Sequence, residues 1–546
     1  MKGGDPRLRP DSRLTPAEIE HYETSGLWRE RSVRSLLSES AETHPDRVAA
    51  IGYHQGRLDP ASVLTFAELD ELASQLTGGL AALGLGPGDV VAVMLSNRTE
   101  FAALIFAING AGATYTGIPV TYGRREVLQI LGRSAARAVV VEASGALDVV
   151  RELRDELPAL EHVVVLADSP PALRARELPY AQLLEHGPGP RADDHTSVCH
   201  IGFTSGTTGA PKGVMNTAQT LESIIRHWID HVGGEQALGD PVVNLIASPV
   251  GHHTGYCWGV LLTAYTGGTA VYLDRWQPAV AREVLAEQRV TTMFGAPTFV
   301  QDLVQAREAG QGPDSEALRM ITVAGAPVPR SLPSIAGEAL GCVICPAWGM
   351  TEYAIALSWA PALGERAQET DGVPVAGSEV RVVTGAGRGA APGEVGELEV
   401  RGAGLFIGYH ERPEENAKAF DHGWFRTGDT ATFTSEGQVL LVGRSKDIVI
   451  RGGENIPVVD VESLLFDHPK VRDVAVIGVP DARLGQRACA VVVPAGEPPT
   501  LEELCRGLLE QGLSKRFLPE RLEVVPELPK TASGKIRKVE LRERFI

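Results

Sequence analysis

Val198-Cys199-His200-Ile201-Gly202-Phe203 runs straight into Thr204-Ser205-Gly206-Thr207-Thr208-Gly209-Ala210-Pro211-Lys212-Gly213. An apolar run of strand length feeds a loop that holds four hydroxyls, three glycines and a lysine within ten residues. Glycines let the backbone bend and present N–H groups, hydroxyls add donors, and Lys212 adds a positive charge. Together they make an anion cradle suited to phosphates. The loop is not a Walker A motif, because Gly209 and Lys212 have the wrong spacing and no Gly-Lys-Ser/Thr follows.

Working outward, the pattern on both sides of this loop alternates. ELDELASQLTGGLAAL (68–83) leads to DVVAVML (89–95), and EVLQILGRSA (126–135) leads to AVVVEA (138–143). Amphipathic helices alternating with short apolar runs predict a parallel α/β sheet from about 31 to 190. A Pro/Gly/charge stretch, HGPGPRADDH (186–195), interrupts it, and the alternation resumes over 196–360. From about 370 to 443 helices stop, and EVRVV, GELEVRG and GQVLLVG predict a small β-barrel or sheet. After Gly443 the alternation returns, which predicts a small α+β domain over 446–546 that follows a large domain over 31–445. Residues 1–30 are polar and read as a peripheral arm.

The chain has 546 residues and 43% hydrophobic residues, enough for about three units at about 150 residues each. Acids outnumber bases by 69 to 51, for a formal net charge of −18. Such a surface repels nucleic acids and anionic membranes, so any anionic ligand must be held by a local site. Six cysteines cannot form a disulfide framework, and Cys342 and Cys345 read as apolar residues of a buried strand, not a redox pair. The longest clean apolar run, Phe101 to Ile108, is far short of the roughly 20 residues of a membrane span. No secretory signal is apparent at the N-terminus, and a cytoplasmic setting is expected.

Two decoys fall away. Gly84, Gly86 and Gly88 lie between a helix and a strand, the reverse of a dinucleotide fingerprint. Ser533-Gly534-Lys535 lacks both the upstream glycine and the following hydroxyl of a P-loop.

Four more segments complete the pattern. They are Trp348-Gly349-Met350-Thr351-Glu352; Gly423-Trp424-Phe425-Arg426-Thr427-Gly428-Asp429; Gly443-Arg444-Ser445-Lys446-Asp447 with Arg451-Gly452-Gly453-Glu454-Asn455-Ile456; and Pro529-Lys530-Thr531-Ala532-Ser533-Gly534-Lys535-Ile536. Each is weak alone. In this order, with the cradle, they resemble the adenylate-forming enzymes over nearly the whole chain. Within that superfamily the chain resembles bacterial CoA ligases for fatty and alicyclic acids, of the cyclohexanecarboxylate type.

The resemblance implies a ligase that uses ATP, Mg²⁺ and coenzyme A. A carboxylate attacks the α-phosphate, giving acyl-AMP and pyrophosphate, and a thiol then displaces AMP. Positioning and charge neutralisation dominate such a reaction. Thr204, Ser205, Gly206, Thr207, Thr208 and Lys212 are expected at the phosphates. Trp348, where relatives commonly carry Tyr, is expected to stack on adenine beside Gly325, Ala326 and Pro327, with Gly349 and Met350 adjoining. Thr351 is assigned to the α-phosphate, Glu352 to Mg²⁺, Asp429 to the ribose hydroxyls and Arg444 to ribose or phosphate. Lys535 is assigned to bridge carboxylate and α-phosphate. It sits on a small domain that rotates about Lys446, with Gly452 and Gly453 lining a pantetheine tunnel.

The acyl pocket is expected around Gly251, His252, His253, Trp258, Phe294 and Gly349. Gly251 replaces an aromatic residue of many relatives, which implies an open pocket for a bulky or alicyclic acid. The alternative is that Phe294, Phe299 or Trp258 refills the space. No acidic residue lies in 249–257 to hold an α-ammonium, so an amino acid is disfavoured. The acyl acceptor can be CoA or a carrier protein, and a homodimer is admitted. An oxygenase on the same fold and a non-catalytic acyl-AMP binder are disfavoured, the latter because Lys212, Glu352 and Lys535 are all present.

Overall fold

The computed structural model describes residues 5–169, 172–204, 211–364, 368–444, 449–451, 454–481, 483–531 and 533–545. Two large sheets carry the body. The first has nine strands; Val343–Met350, Met320–Val323, Thr292–Gly295, Val243–Ile246, Thr269–Leu273 and Val48–Tyr53 run parallel through its centre. The second has eight. Its parallel part comprises Val198–Phe203, Thr114–Gly117, Val90–Met94, Ala138–Glu142, His162–Leu166 and Glu177–Pro179. Gly213–Thr217 and Gly408–Tyr409 extend it antiparallel.

The strand Val90–Met94 is buried at every residue, as expected of a parallel strand covered on both faces. The apolar run read at 101–108 forms the helix Thr99–Gly110, buried all round, and its residues join the core that includes strands of both sheets. Thr65 caps the neighbouring helix Phe66–Ala82 through a reciprocal box with Glu68.

Ser378–Val383, Gly396–Gly402, Phe420–Asp421, Trp424–Phe433 and Val439–Arg444 form a five-stranded antiparallel sheet, and the helix Pro413–Ala419 interrupts a stretch expected to hold no helix. A second compact unit follows, with five strands between 449 and 524 and helices Val458–Phe466, Leu501–Glu510 and Lys538–Phe545. It has two small apolar cores of its own. The polypeptide is thus mixed α/β, with a large first part and a small last one.

Residues 5–30 are not peripheral. Leu14, Ile19, Tyr22 and Trp28 are buried in the second core. Trp28 Nε1 donates to Ala403 O at 2.8 Å, and Arg13 Nε donates to Phe406 O at 2.8 Å. Polar residues dominate the composition here, but they pair with backbone carbonyls while the few large apolar ones anchor the strap. Cys345 is buried in the strand Val343–Met350, and all six cysteines are free.

The small C-terminal unit is docked on the large part. Arg330 N donates to Ser463 Oγ at 2.9 Å, and Ser331 pairs with Asp467. Gly534 seats against the helix that begins at Pro297: a Cβ there would lie 2.4 Å from Thr298 Oγ1. Only glycine permits that approach, and Lys535 is the next residue.

Candidate active site

The strand Val198–Phe203 delivers Thr204, whose N–H donates to Lys212 O at 3.1 Å and closes the base of the loop. Ser205, Gly206, Thr207 and Thr208 lie outside the described residues. Lys212 Nζ pairs with Glu415 at 2.9 Å and lies 4.6 Å from the centre of the Tyr409 ring. The Tyr409 hydroxyl donates to Glu352 Oε1 at 2.7 Å. Glu352 is buried, and loss of hydration raises its pKa against the opposing effects of Tyr409, Lys212 and Arg444.

Trp348 does not present an open face. It is buried, and its Nε1 donates to Asp429 Oδ2 at 2.9 Å. Arg444 Nε donates to Asp429 Oδ1 at 2.9 Å. Both oxygens of this buried carboxylate therefore carry a donor, and a carboxylate has lone pairs to accept more. Burial raises the Asp429 pKa, while Arg444, Trp348 and Lys535 oppose the rise. Gly349 does not open acyl space either. A Cβ on it would stand 2.0 Å from Ala354 O, so the glycine serves the close return of the antiparallel hairpin. Met350 and Thr351 are half-buried beside it.

Lys535 reaches this place from the small unit. Its N–H donates to Thr531 Oγ1 at 3.1 Å, and its carbonyl accepts from Thr531 N at 2.8 Å, which closes the turn that presents it. Gly325 holds φ +86°, and a Cβ there would lie 3.3 Å from Lys535 Cε. Ala326 is half-buried and Pro327 exposed next to it. Withdrawal from water, with repulsion by Arg444, pulls the Lys535 pKa down to about 8 against the attraction of Asp429 and Glu352. Residues from five distant segments thus meet around one ammonium.

The acyl region differs from the expectation of an emptied pocket. A Cβ on Gly251 would meet the backbone of Ile118 at 2.8 Å and Pro119 N at 2.9 Å. The missing side chain is compensated by close approach of chain 117–119, so no void follows from it. Trp258 and Phe294 stack at 5.0 Å and 4°, and Trp228 packs edge-on to both. Phe299 lies elsewhere, edge-on to Trp276 at 4.6 Å. Burial lowers the pKa of His252 to about 3, aided by the Lys535 charge, and that of His253 to about 4. Both imidazoles are neutral near pH 7.

Lys446, Gly452 and Gly453 lie outside the described residues. Among the described residues no group of three His, Cys, Asp or Glu could hold a metal. Glu352 supplies one hard oxygen donor set, which suits a Mg²⁺ shared with nucleotide phosphates and water. No helix among the described residues is long and apolar enough to cross a membrane. Tyr409, Glu415, Trp228 and Tyr256 carry no local motif that marks them in the sequence. Tyr409 is placed by pairing of Gly408–Tyr409 with Met215 and Val214, next to the phosphate loop.

The AMP-binding enzyme family matches residues 37–410, and the AMP-binding enzyme C-terminal domain matches 460–535. The chain is 31% identical to a medium-chain fatty-acid–CoA ligase of Escherichia coli K12, over 96% of this chain and 92% of that one. It is 32% identical to a salicylyl-CoA synthase / salicylate adenylyltransferase of a Streptomyces species, over 96% and 95%. Among solved structures, an anthranilate CoA ligase, AuaEII, in complex with anthranoyl-AMP, superposes with a TM-score of 0.85 at 25% identity. That match covers 95% of this chain and 97% of the other.

Proposed function

The chain belongs to the AMP-binding, adenylate-forming enzymes and is an AMP-forming ligase; on that premise we propose that it activates a cyclic or otherwise bulky carboxylic acid as acyl-AMP and passes the acyl group to coenzyme A. The observation that carries this reading is the convergence on Lys535. The docked small unit brings the lysine beside Gly325, within the influence of Asp429, Glu352, Arg444 and His252.

Each residue then has a part. The loop from Thr204 to Lys212 receives the outer phosphates, and Lys212 exchanges Glu415 for the nucleotide. Asp429 accepts the ribose hydroxyls while Trp348 and Arg444 hold its orientation. Thr351 donates to the α-phosphate. Glu352 would hold Mg²⁺, which neutralises phosphate charge. Lys535 draws the carboxylate and the α-phosphate oxygens together and stabilises the charge that develops between them. His252 and His253 stay neutral and do not compete with Lys535 for the incoming carboxylate. Trp258, Phe294 and Trp228 are buried and packed on one another, so support for a cyclic acid over a flexible chain comes from the relatives named for salicylate and anthranilate.

In the second half-reaction the small unit rotates about Lys446, and a thiol enters past Gly452 and Gly453. A relative named as both a CoA synthase and an adenylyltransferase supports a second reading, in which acyl-AMP is the end product or is handed to a carrier protein. A pyrophosphate-release screen over cyclic and linear acids tests the first half. Thioester yield with CoA against a holo-carrier protein tests the second. Preference for short linear acids contradicts the ring-binding reading.

A further inference from the structure

One buried group of polar side chains, which extends from His252 and His253 to His200 and Tyr256, has hydrogen-bonding capacity that the chemistry above does not use. His200 lies on the strand Val198–Phe203, two residues before Gly202. A Cβ on Gly202 would stand 2.8 Å from His200 Cε1 and 3.0 Å from Thr351 Cγ2, so both side chains flank Gly202, and the second is the threonine assigned to the α-phosphate. The His200 ring centre lies 4.4 Å from that of Tyr256 and 5.4 Å from that of His253. His252 is the next residue and is close enough to Lys535 to feel its charge.

Three atoms here are buried without a hydrogen-bond partner, Nδ1 of His200, His252 and His253, while the Tyr256 hydroxyl pairs with Cys199. His200, His253 and Tyr256 are 2%, 8% and 0% exposed. Nearly all buried polar groups in folded proteins are paired. An orphan costs about 1–3 kcal/mol, and three in one neighbourhood are a concentrated cost. Tyr115 packs on the same rings, but its hydroxyl is spent on Val250 O at 3.2 Å. The three imidazoles are neutral near pH 7, because burial lowers each pKa. Neutral imidazoles both donate and accept, and they offer no charge to pair with an ion.

We infer that this cluster is a subsite for a neutral hydrogen-bonding substituent, a hydroxyl or an uncharged amino group, carried by the acid close to its carboxyl end. The position follows from Thr351 and Lys535, between which the carboxylate must lie under the acid-activation reading on which this inference rests. The subsite narrows the substrate from a wholly apolar ring to a hydroxylated or aminated one. An acid without the substituent leaves the orphans unpaired, or paired with water only.

The test uses the full chain and pairs of acids matched in shape: benzoic against 2-hydroxy-, 3-hydroxy- and 2-aminobenzoic acid, and cyclohexanecarboxylic against its 2-hydroxy derivative. Pyrophosphate release gives kcat/KM for each. The substituted member of at least one pair is expected to win by about tenfold or more, about one hydrogen bond's worth. His200→Phe and His253→Phe, each of which removes one unpaired Nδ1, should each reduce that ratio. Ratios at or below one for every pair overturn the subsite, as does a ratio that neither variant moves. If a variant fails to fold, the wild-type ratios still decide. No pyrophosphate from any acid contradicts the activation reading itself and takes the subsite with it. Release from unsubstituted acids alone overturns only the subsite.

Discussion

The hydroxyl of Tyr409 donates to Glu352 Oε1 at 2.7 Å, while the face of the same ring lies 4.6 Å from Lys212 Nζ. One aromatic residue therefore links the carboxylate assigned to Mg²⁺ and the lysine of the phosphate loop. Hydrogen bonds to charged groups are worth about 1.5–3 kcal/mol. Tyr409→Phe should raise the KM for MgATP by roughly tenfold or more and leave the KM for the acid unchanged. Tyr409→Leu also loses the cation–π contact and should cost more. Steady-state kinetics with each substrate varied in turn separates the two. An unchanged KM for MgATP in Tyr409→Phe rejects the link.

Trp348 and Asp429 make a second such pair. Trp348→Phe keeps an apolar ring but strips a donor from a buried carboxylate, at a cost of about 1–3 kcal/mol. The expected result is a KM for ATP raised roughly tenfold, with kcat little changed. Equal loss with ATP and with the acid would show that the tryptophan acts only through packing.

Burial pulls the Lys535 pKa down to about 8. The protonated form is the active one. Adenylation should be full well below pH 8 and fall as pH rises through about 8. The kcat/KM for ATP reports free-enzyme groups, so its pH profile should bend there. Arg444→Gln removes a repelling charge, and the bend should move to higher pH. A profile flat to pH 10 contradicts the assignment.

Two glycines give opposite outcomes. Gly251→Ala puts a Cβ into the backbone of Ile118 and Pro119 and should cost about 1–3 kcal/mol of stability, seen as a lower Tm. Gly325→Ala puts a Cβ 3.3 Å from Lys535 Cε at a left-handed φ. It should slow acyl-AMP formation while thioester formation from supplied acyl-AMP persists.

Lys535, Asp429, Arg444 and Glu352 were legible because each sits in a short, chemically loaded motif, and five such motifs keep their order. The parallel sheets were legible because their strands read as unbroken apolar runs beside amphipathic helices. Tyr409 was not, because it faces Glu352 only through strand pairing across a long separation. Gly251 misled for a related reason. A missing ring predicts space only if the neighbouring chain stays put, and here residues 117–119 close in. Trp348 carries both an apolar face and an N–H. Sequence shows the face, but only the fold shows that Asp429 takes the N–H. His200 looked like one more residue of a strand; its neighbours His253 and Tyr256 give it meaning. The N-terminal strap was obscured by composition, since four buried apolar residues are outnumbered by the polar ones that hold it.

The central claim is that Lys535 serves the first half-reaction and not the second. Lys535→Ala should be measured twice: pyrophosphate release from acid and ATP, and thioester formation from supplied acyl-AMP and CoA. The account predicts that the first falls by orders of magnitude while the second stays near wild type. Equal loss in both assays would contradict it.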